Sequence, residues 1–383
     1  MVSSKSKNIF IIPARSGSKG IKNKNTKLIS GIEMFVWSII HAKFLSNKND
    51  LIIVTSDSKK YLQIAEKWGA TPFLRSPELS GDKVFTEPVM LDVLKEIEAP
   101  ANDKVILLQP TSPLRSKKTL NIIKGHLNKN VNSLLTVKHT YQFEWEKKQS
   151  FGIPLYNKRP RRQDMRGSFI ENGSVYMNSV DNFFMNNNRV DKKAILVSSS
   201  EIESIEADNI EELEIIKSLS GKFNKQWKKE VIGNKKINTL VLDIDGVFAS
   251  NIKKTNSNER NYSTQDSNAL SNFIKSGGNV FLISSEKEIH SQKLFKKIGI
   301  KNFKFNSSNK LADVKKYLDG MKINYENVCF VGNDIQDLEC IKFFNCSATP
   351  IDSNPKVKME SKIQLEAEGG NGAVLEMLRL LKL

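Results

Sequence analysis

The sequence predicts an α/β protein built as two consecutive domains, each around a mostly parallel sheet. Three observations carry that expectation. Apolar β-like runs alternate with helical patterns through the first half of the chain. A polar, lysine-rich stretch at 222–236 then interrupts them, and a second alternation starts afresh at Thr239-Leu240-Val241-Leu242. At 383 residues the chain is long for one average domain and suits two, placed at 1–226 and 237–383.

In the first domain, strand candidates fall at 9–12, 51–55, 105–109, 133–137, 175–177 and 194–197, with helical spacing at 34–45, 59–68, 87–98 and 116–127. In such a sheet a ligand sits beyond the carboxyl ends of the strands. Two polar loops follow strands directly: Pro13-Ala14-Arg15-Ser16-Gly17-Ser18-Lys19-Gly20 and Gln109-Pro110-Thr111-Ser112-Pro113. Both are expected at that edge. An amphipathic segment at 210–219 closes the domain, and the lysine-rich stretch reads as a linker. The second domain repeats the pattern, with strands at 239–242, 280–283 and 327–331 and helices at 291–298 and 336–343. Its terminal run, with Leu375, Leu378 and Leu381, has helical spacing and reads as core or subunit contact.

Hydrophobic content of 39% and aromatic content of 8% suffice for packed cores. The amino-terminal residues lack the apolar core of a signal peptide, and no apolar run reaches the ~18 residues of a spanning helix. Three cysteines, Cys329, Cys340 and Cys346, have no metal-type spacing and read as buried thiols of a cytoplasmic protein. The four histidines, His41, His126, His139 and His290, show no ligand spacing either. A net charge of +17 suits small anionic substrates, nucleic acid or an acidic membrane. No compact basic module or aromatic RNA motif accompanies it, so neither nucleic acid nor membrane is expected as a partner. Phe183 and Phe184 are expected in the core.

The first loop puts backbone N–H groups and fixed cations at one end of a sheet, which is what a polyphosphate needs. Its spacing is neither G-x-x-x-x-G-K-[ST] nor G-x-G-x-x-G. It offers Arg15, Lys19, Lys24 and Asn25. Downstream lie Arg75 in Leu74-Arg75-Ser76-Pro77, Thr86, Gln109 and Arg115, then Arg161-Arg162-Gln163-Asp164 and Glu171-Asn172-Gly173-Ser174-Val175-Tyr176. Ile205-Glu206-Ala207-Asp208 adds two carboxylates. Asp208 with Glu211 also makes a capping box for a helix starting near Asn209, and the two roles can coexist.

In that order these motifs resemble the N-acylneuraminate cytidylyltransferases, or CMP-sialic acid synthetases, over residues 7 to 220. The resemblance implies that Arg15, Lys19 and Lys24 hold the phosphates of CTP. Asn25, Arg75 and Thr86 would face the cytosine nucleoside. Gln109 would bind the sugar, with Arg115 and Asn172 in the same substrate-binding set, and Arg162 would reach the sugar carboxylate or a neighbouring site. The family shows Asp-x-Asp where this chain has Glu206 and Asp208, the implied ligands of Mg2+; the added methylene of Glu206 alters its reach. The reaction needs the anomeric hydroxyl to attack the α-phosphorus in line, with pyrophosphate leaving. Catalysis is then positioning and charge neutralisation.

In the second domain, Asp243-Ile244-Asp245 ends an apolar strand, and a one-residue gap in an extended backbone points both carboxylates the same way. Such a pair divides into nucleophile and acid/base around a magnesium ion. Ser284, Lys310 and Gly332-Asn333-Asp334-Ile335-Gln336-Asp337 follow. The order resembles the haloacid-dehalogenase superfamily, of the KDO-8-phosphate phosphatase type. This implies phosphate binding by Ser284 and Lys310 and a metal site completed by Asn333, Asp334 or Asp337. The chain departs from the pattern at Ala249-Ser250-Asn251, Asn333 and Leu375. Together the resemblances imply two Rossmann-like α/β domains, a nucleotidyltransferase fold followed by a smaller haloacid-dehalogenase-like fold. The expected activity is CMP transfer from CTP to an acidic nonulosonic sugar by a homodimer or homotetramer. CMP-KDO or CMP-legionaminate synthesis, or a bifunctional phosphatase and cytidylyltransferase, are the alternatives.

Overall fold

The computed structural model describes residues 6–18, 20–129, 131–233, 236–250, 260–287 and 291–381; Lys19, Asn251 and His290 lie outside them. The chain divides into two compact units, residues 1–27 with 34–218, and residues 28–33 with 219–383. In chain order the first eleven strands are β1 (Asn8–Pro13), β2 (Leu28–Ile29), β3 (Ile32–Glu33), β4 (Leu51–Ser56), β5 (Thr71–Leu74), β6 (Lys104–Leu108), β7 (Ser133–Thr140), β8 (Trp145–Lys148), β9 (Phe151–Pro154), β10 (Ser168–Ser179) and β11 (Ile195–Ser199).

Seven of these form the sheet of the first unit, in the order β11-β7-β10-β6-β1-β4-β5. β1 is central and parallel to both β4 and β6, and Ile9, Phe10, Ile11 and Ile12 are buried on both faces, as a central parallel strand requires. The sheet is mixed, since β10 runs antiparallel to both β6 and β7. One face is filled by Ile9, Ile11, Val105, Leu107, Met90, Val93 and Phe183. Phe184, expected beside Phe183 in the core, is exposed instead. The helix Met34–Leu45 is apolar nearly all round and accordingly buried along most of its length. Strand order reverses between β1 and β6, and the loops after those strands lie at their carboxyl ends, where α/β sheets bind ligands. Between Thr140 and Ser168 the chain leaves the sheet and forms the β8–β9 hairpin.

The second unit has an all-parallel sheet of β12 (Thr239–Asp243), β13 (Asn279–Ile283), β14 (Asn302–Lys304), β15 (Val328–Val331), β16 (Cys346–Thr349) and β17 (Ile363–Gln364), in the order β14-β13-β12-β15-β16-β17. Val241, Phe281, Ile283, Phe330 and Ile341 build its core, and the three cysteines are buried and free. As far as Gly233 the expected linker is folded. The helix Ile210–Phe223 runs into a 3-10 turn at Asn224–Trp227 and a short helix at Lys228–Ile232, with Trp227 fully buried. The lysines mark the solvent side of a packed segment rather than a tether. The terminal helix Ala373–Leu381 buries Val374, Leu378 and Leu381.

Candidate active site

Beyond β1 the chain turns at Ser16, whose N–H and hydroxyl both donate to Asp57 in the loop after β4 (2.7 and 2.5 Å). Asn25 is buried and donates to the Arg15 carbonyl at 2.9 Å, so it shapes the loop from within. Arg15 then projects to the surface and pairs with Asp82. Arg75 lies close by, buried, donating to the hydroxyl and carbonyl of Thr55. Burial lowers its pKa to about 10, a shift that Asp57 opposes and Arg15 reinforces. Two guanidinium groups that repel each other at a strand edge form a place for an anion. Thr86 begins the helix Thr86–Glu96 and is half-buried.

The carboxylate pair is held from three sides. Ala207 N–H donates to the Thr111 carbonyl at 2.9 Å, and the Thr111 hydroxyl reaches Glu206 at 3.4 Å. Glu206 lies over Gly173, where a Cβ would come within 2.0 Å of its carboxylate, and Gly173 has φ +65°. Only glycine meets both demands there. Lys24 pairs with Asp208 at 3.2 Å, and Gly20 lies against the Asp208 carbonyl. Burial, then the neighbouring Asp208 charge, pushes Glu206 up to about 7. Two adjacent carboxylates of which one resists ionisation fit a divalent cation that takes few protein ligands and completes its shell elsewhere. No cluster of three or more His, Cys, Asp or Glu suited to a metal occurs among the described residues.

The helix cap falls one residue later than the sequence predicts. Asn209 Oδ1 accepts from Glu212 N–H (2.9 Å), and the Glu212 carboxylate accepts from the N–H groups of Asn209 and Asp208. Asp208 keeps its side chain out of the cap, 65% exposed.

Arg115 and Asn172 belong to the support of the site. All five N–H directions of Arg115 meet protein: Nε to Ser174 Oγ, Nη1 to Ser38 and His41, Nη2 to the carbonyls of Gln109 and Ser174. Burial lowers its pKa to about 9, with Glu206 and Glu203 opposing. Asn172 donates to Ser199 and Ser204 and accepts from Thr136 and Ser174 N–H, so its amide is likewise spent. Both brace the strand ends that carry Gln109, which is half-buried beyond β6. Arg162 sits exposed in the 3-10 turn Arg162–Asp164, in the excursion between β7 and β10.

In the second unit, β12 delivers Asp243 and β15 leads to Asn333, on either side of that sheet's reversal point. Lys310 bridges Asp243 (2.9 Å) and Asp337 (2.7 Å). Burial works against its charge, yet the two carboxylates hold its pKa up at about 12. Asp337 also accepts from the N–H groups of Asn333 and Asp334, closing a capping box with Asp334. A pocket of about 190 Å³ is lined by Asp243, Asp245, Ser284, Lys310, Asn333 and Asp334. Asp245 is engaged on both oxygens: Arg260 donates at 2.6 and 3.0 Å, and Ser284 at 2.9 Å.

The model of the cytidylyltransferase family matches residues 9–237. The chain belongs to the cytidylyltransferase family. N-acylneuraminate cytidylyltransferase B of Danio rerio is 25% identical over 381 residues, covering 96% of this chain and 88% of the relative. An N-acylneuraminate cytidylyltransferase of Streptococcus agalactiae (serotype V) is 34% identical over 186 residues, 46% of this chain and 44% of the relative. Among solved structures, the 3-deoxy-D-manno-octulosonate 8-phosphate phosphatase of Yersinia pestis covers 38% of this chain and 80% of its own, at 23% identity and a TM-score of 0.37.

Three residues that shape the sites of this cytidylyltransferase escaped the sequence reading. Asp57 and Asp82 tie down Ser16 and Arg15, and Arg260 occupies Asp245. Asp57 alone carried a signal, since Ser56-Asp57-Ser58 follows a strand whose carboxyl end shares the edge with the Arg15 loop. In this cytidylyltransferase no helix among the described residues is long and apolar enough to cross a membrane.

Proposed function

We propose that the chain transfers CMP from CTP to the anomeric hydroxyl of an acidic nonulosonic sugar, N-acylneuraminate, releasing pyrophosphate. The observation that carries the reading is the convergence of Arg15, Arg75 and Lys24 with Glu206 and Asp208 at one sheet edge. Arg15 and Lys24 each hold a surface carboxylate that a triphosphate can displace. They would grip its oxygens, with Lys19 in the same loop. Neutralising phosphate charge in this way is the main catalytic demand of the reaction. Glu206 and Asp208 would hold Mg2+, which supplies a Lewis-acid counter-charge to the phosphates. Thr86 and Arg75 would line the nucleoside side and Gln109 the sugar. Asn25, Arg115 and Asn172 act from behind by fixing the loops. With CTP as donor, the cytoplasm is where the reaction finds its substrate.

The excursion between β7 and β10 supports a homodimer. Trp145, Phe151 and Leu155 are exposed there, and Phe169 and Ile170 are exposed at the start of β10, apolar surface of the kind that marks a protein interface. Arg162 lies on the same segment and would reach the sugar carboxylate once that surface is covered. A non-hydrolytic role for the second unit is supported by Arg260 and Ser284, which engage both oxygens of the acid/base carboxylate Asp245 and would have to loosen before it could pass a proton.

The test is to incubate the full chain with CTP, Mg2+ and a panel of acidic sugars (N-acetylneuraminate, KDO, a legionaminate) and follow pyrophosphate. Release fastest with N-acetylneuraminate is expected. Release with none of them would overturn the reading, and release fastest with KDO or legionaminate would reassign the sugar.

A further inference from the structure

Apart from the pocket around Asp243, the second unit carries a cavity of about 400 Å³ walled by the helices Thr264–Lys275 and Gln292–Ile298 and by Arg260 and Tyr262. The first helix contributes Thr264, Ser267, Asn268 and Ser271, whose spacing puts them on one face. None of these side chains is spent on a hydrogen bond among the described residues. The second helix contributes Leu294 and Ile298, which give the cavity an apolar side, and Lys297, which gives it a cation. No Asp or Glu lines it.

Arg260 is the most constrained of the lining groups, its side chain 5% exposed. Nε and Nη2 donate to the two oxygens of Asp245, and Cζ lies 5.7 Å from the centre of the Phe305 ring. Nη1 is left over: it is buried and meets no hydrogen-bond acceptor among the described residues. A buried charged donor without an acceptor costs free energy that an arriving anion recovers. The same wall is pinned at Tyr262, whose hydroxyl donates to Ser291 at 2.7 Å.

Two cations with no carboxylate beside them in the lining select an anion. A face of hydroxyl and amide groups matches a ligand that carries hydroxyls of its own, and the opposing apolar side takes its C–H surface. The volume suits a single sugar. We propose that this cavity is a binding site for a small polyhydroxylated anion, a sugar acid or a sugar phosphate. Its charged group meets Arg260 Nη1 and Lys297, and its hydroxyls meet the face from Thr264 to Ser271. Asp245 uses the other nitrogens of the guanidinium, so ligand and Asp245 hold Arg260 together and neither displaces the other.

NMR of the 15N-labelled full chain tests it, with gluconate, glucose 6-phosphate and glucose as probes. Either anion should shift the amides of Ser267, Asn268 and Ser271 saturably at about millimolar concentration, the affinity expected of so small a ligand. Glucose should not. Response to gluconate or to glucose 6-phosphate says whether the site takes a carboxylate or a phosphate. Arg260→Gln should weaken binding about tenfold or more, the scale of a lost hydrogen bond to a charged group. Ser271→Leu, at a half-buried helix position, fills the cavity without touching Arg260 and should abolish binding. Equal shifts with glucose overturn the proposal, as does the absence of a saturable change with both anions. Shifts confined to Ser284 and Asn333, around the Asp243 pocket, overturn it too. So does undiminished binding by a folded Ser271→Leu protein.

Discussion

Ser16 is clipped twice to Asp57, its N–H 2.7 Å from one carboxylate oxygen and its hydroxyl 2.5 Å from the other. The clip joins the loops that follow two adjacent parallel strands, so the phosphate loop starts from a fixed point.

Burial pushes the Asp57 carboxyl up, but the Ser16 hydrogen bonds and the Arg75 charge outweigh it and leave its pKa below the usual value. A lowered folded pKa means that ionised Asp57 stabilises the fold above its unfolded pKa of about 4, and that this is lost as pH falls through the folded value. Asp57→Asn should therefore cost stability near neutrality, by at most about 1 kcal/mol for a half-buried group still screened by solvent. Its difference from wild type should close as pH falls below the folded value. Urea unfolding at a series of pH values checks both; an undiminished gap in acid would mean the clip does not depend on charge.

Arg15→Ala should reduce turnover by about 10²-fold or more, the effect of losing one positioned donor at a developing charge. Its partner Asp82 is also at the surface, so the unfolding midpoint should barely move. A folded variant with normal pyrophosphate release would remove Arg15 from the site.

The separation of cap from carboxylate permits a paired experiment. Asn209→Ala should lower stability by about 1 kcal/mol and leave activity per folded molecule intact. Asp208→Asn should do the reverse, with activity falling and its Mg2+ requirement shifted upward. If Asp208→Asn loses only stability, the metal assignment fails. Glu206→Asp, which restores the family spacing, should keep activity similar or higher; a severe loss would show that the longer side chain is matched to Gly173 and Thr111.

Asp243→Asn should leave cytidylyl transfer unchanged, since Lys310 and the Ile244 N–H, which meet its carboxylate, and the pocket it lines all belong to its own unit. Wild type should release no phosphate from nonulosonate phosphates. Robust hydrolysis that disappears in Asp243→Asn would make the chain bifunctional and show that the Arg260 grip on Asp245 opens during turnover.

Much of the architecture is legible in the sequence because parallel strands buried on both faces leave uninterrupted apolar runs, as at Ile9 to Ile12 and Leu240 to Leu242. β5 is not, because it contains Pro72 and lies at the sheet edge, where neither apolarity nor a full set of N–H donors is demanded. The β8–β9 hairpin is solvated and has no pattern to read. Site residues are legible as types but not as directions. Arg115 and Asn172 look like ligand contacts until their hydrogen bonds are traced and every donor proves to face inward. Asp208 and Asn209 are equally good caps by composition, and only the turn of the backbone decides between them. Trp227 shows the same limit for the linker, where the surrounding lysines conceal a buried side chain.

The hairpin at 28–33 also governs how this chain can be divided. A fragment ending at Ser218 would retain the buried Ile29 and Ile32 but lack β17, whose Gln364 N–H donates to the Gly31 carbonyl, and with it the rest of the compact unit to which the hairpin belongs. Expression of such a piece should favour self-association. A chimera that exchanges the second unit for a relative's would have to exchange these six residues with it. The boundary that matters to a graft is thus drawn twice through the gene, once after Ser218 and once around a segment nearly two hundred codons upstream.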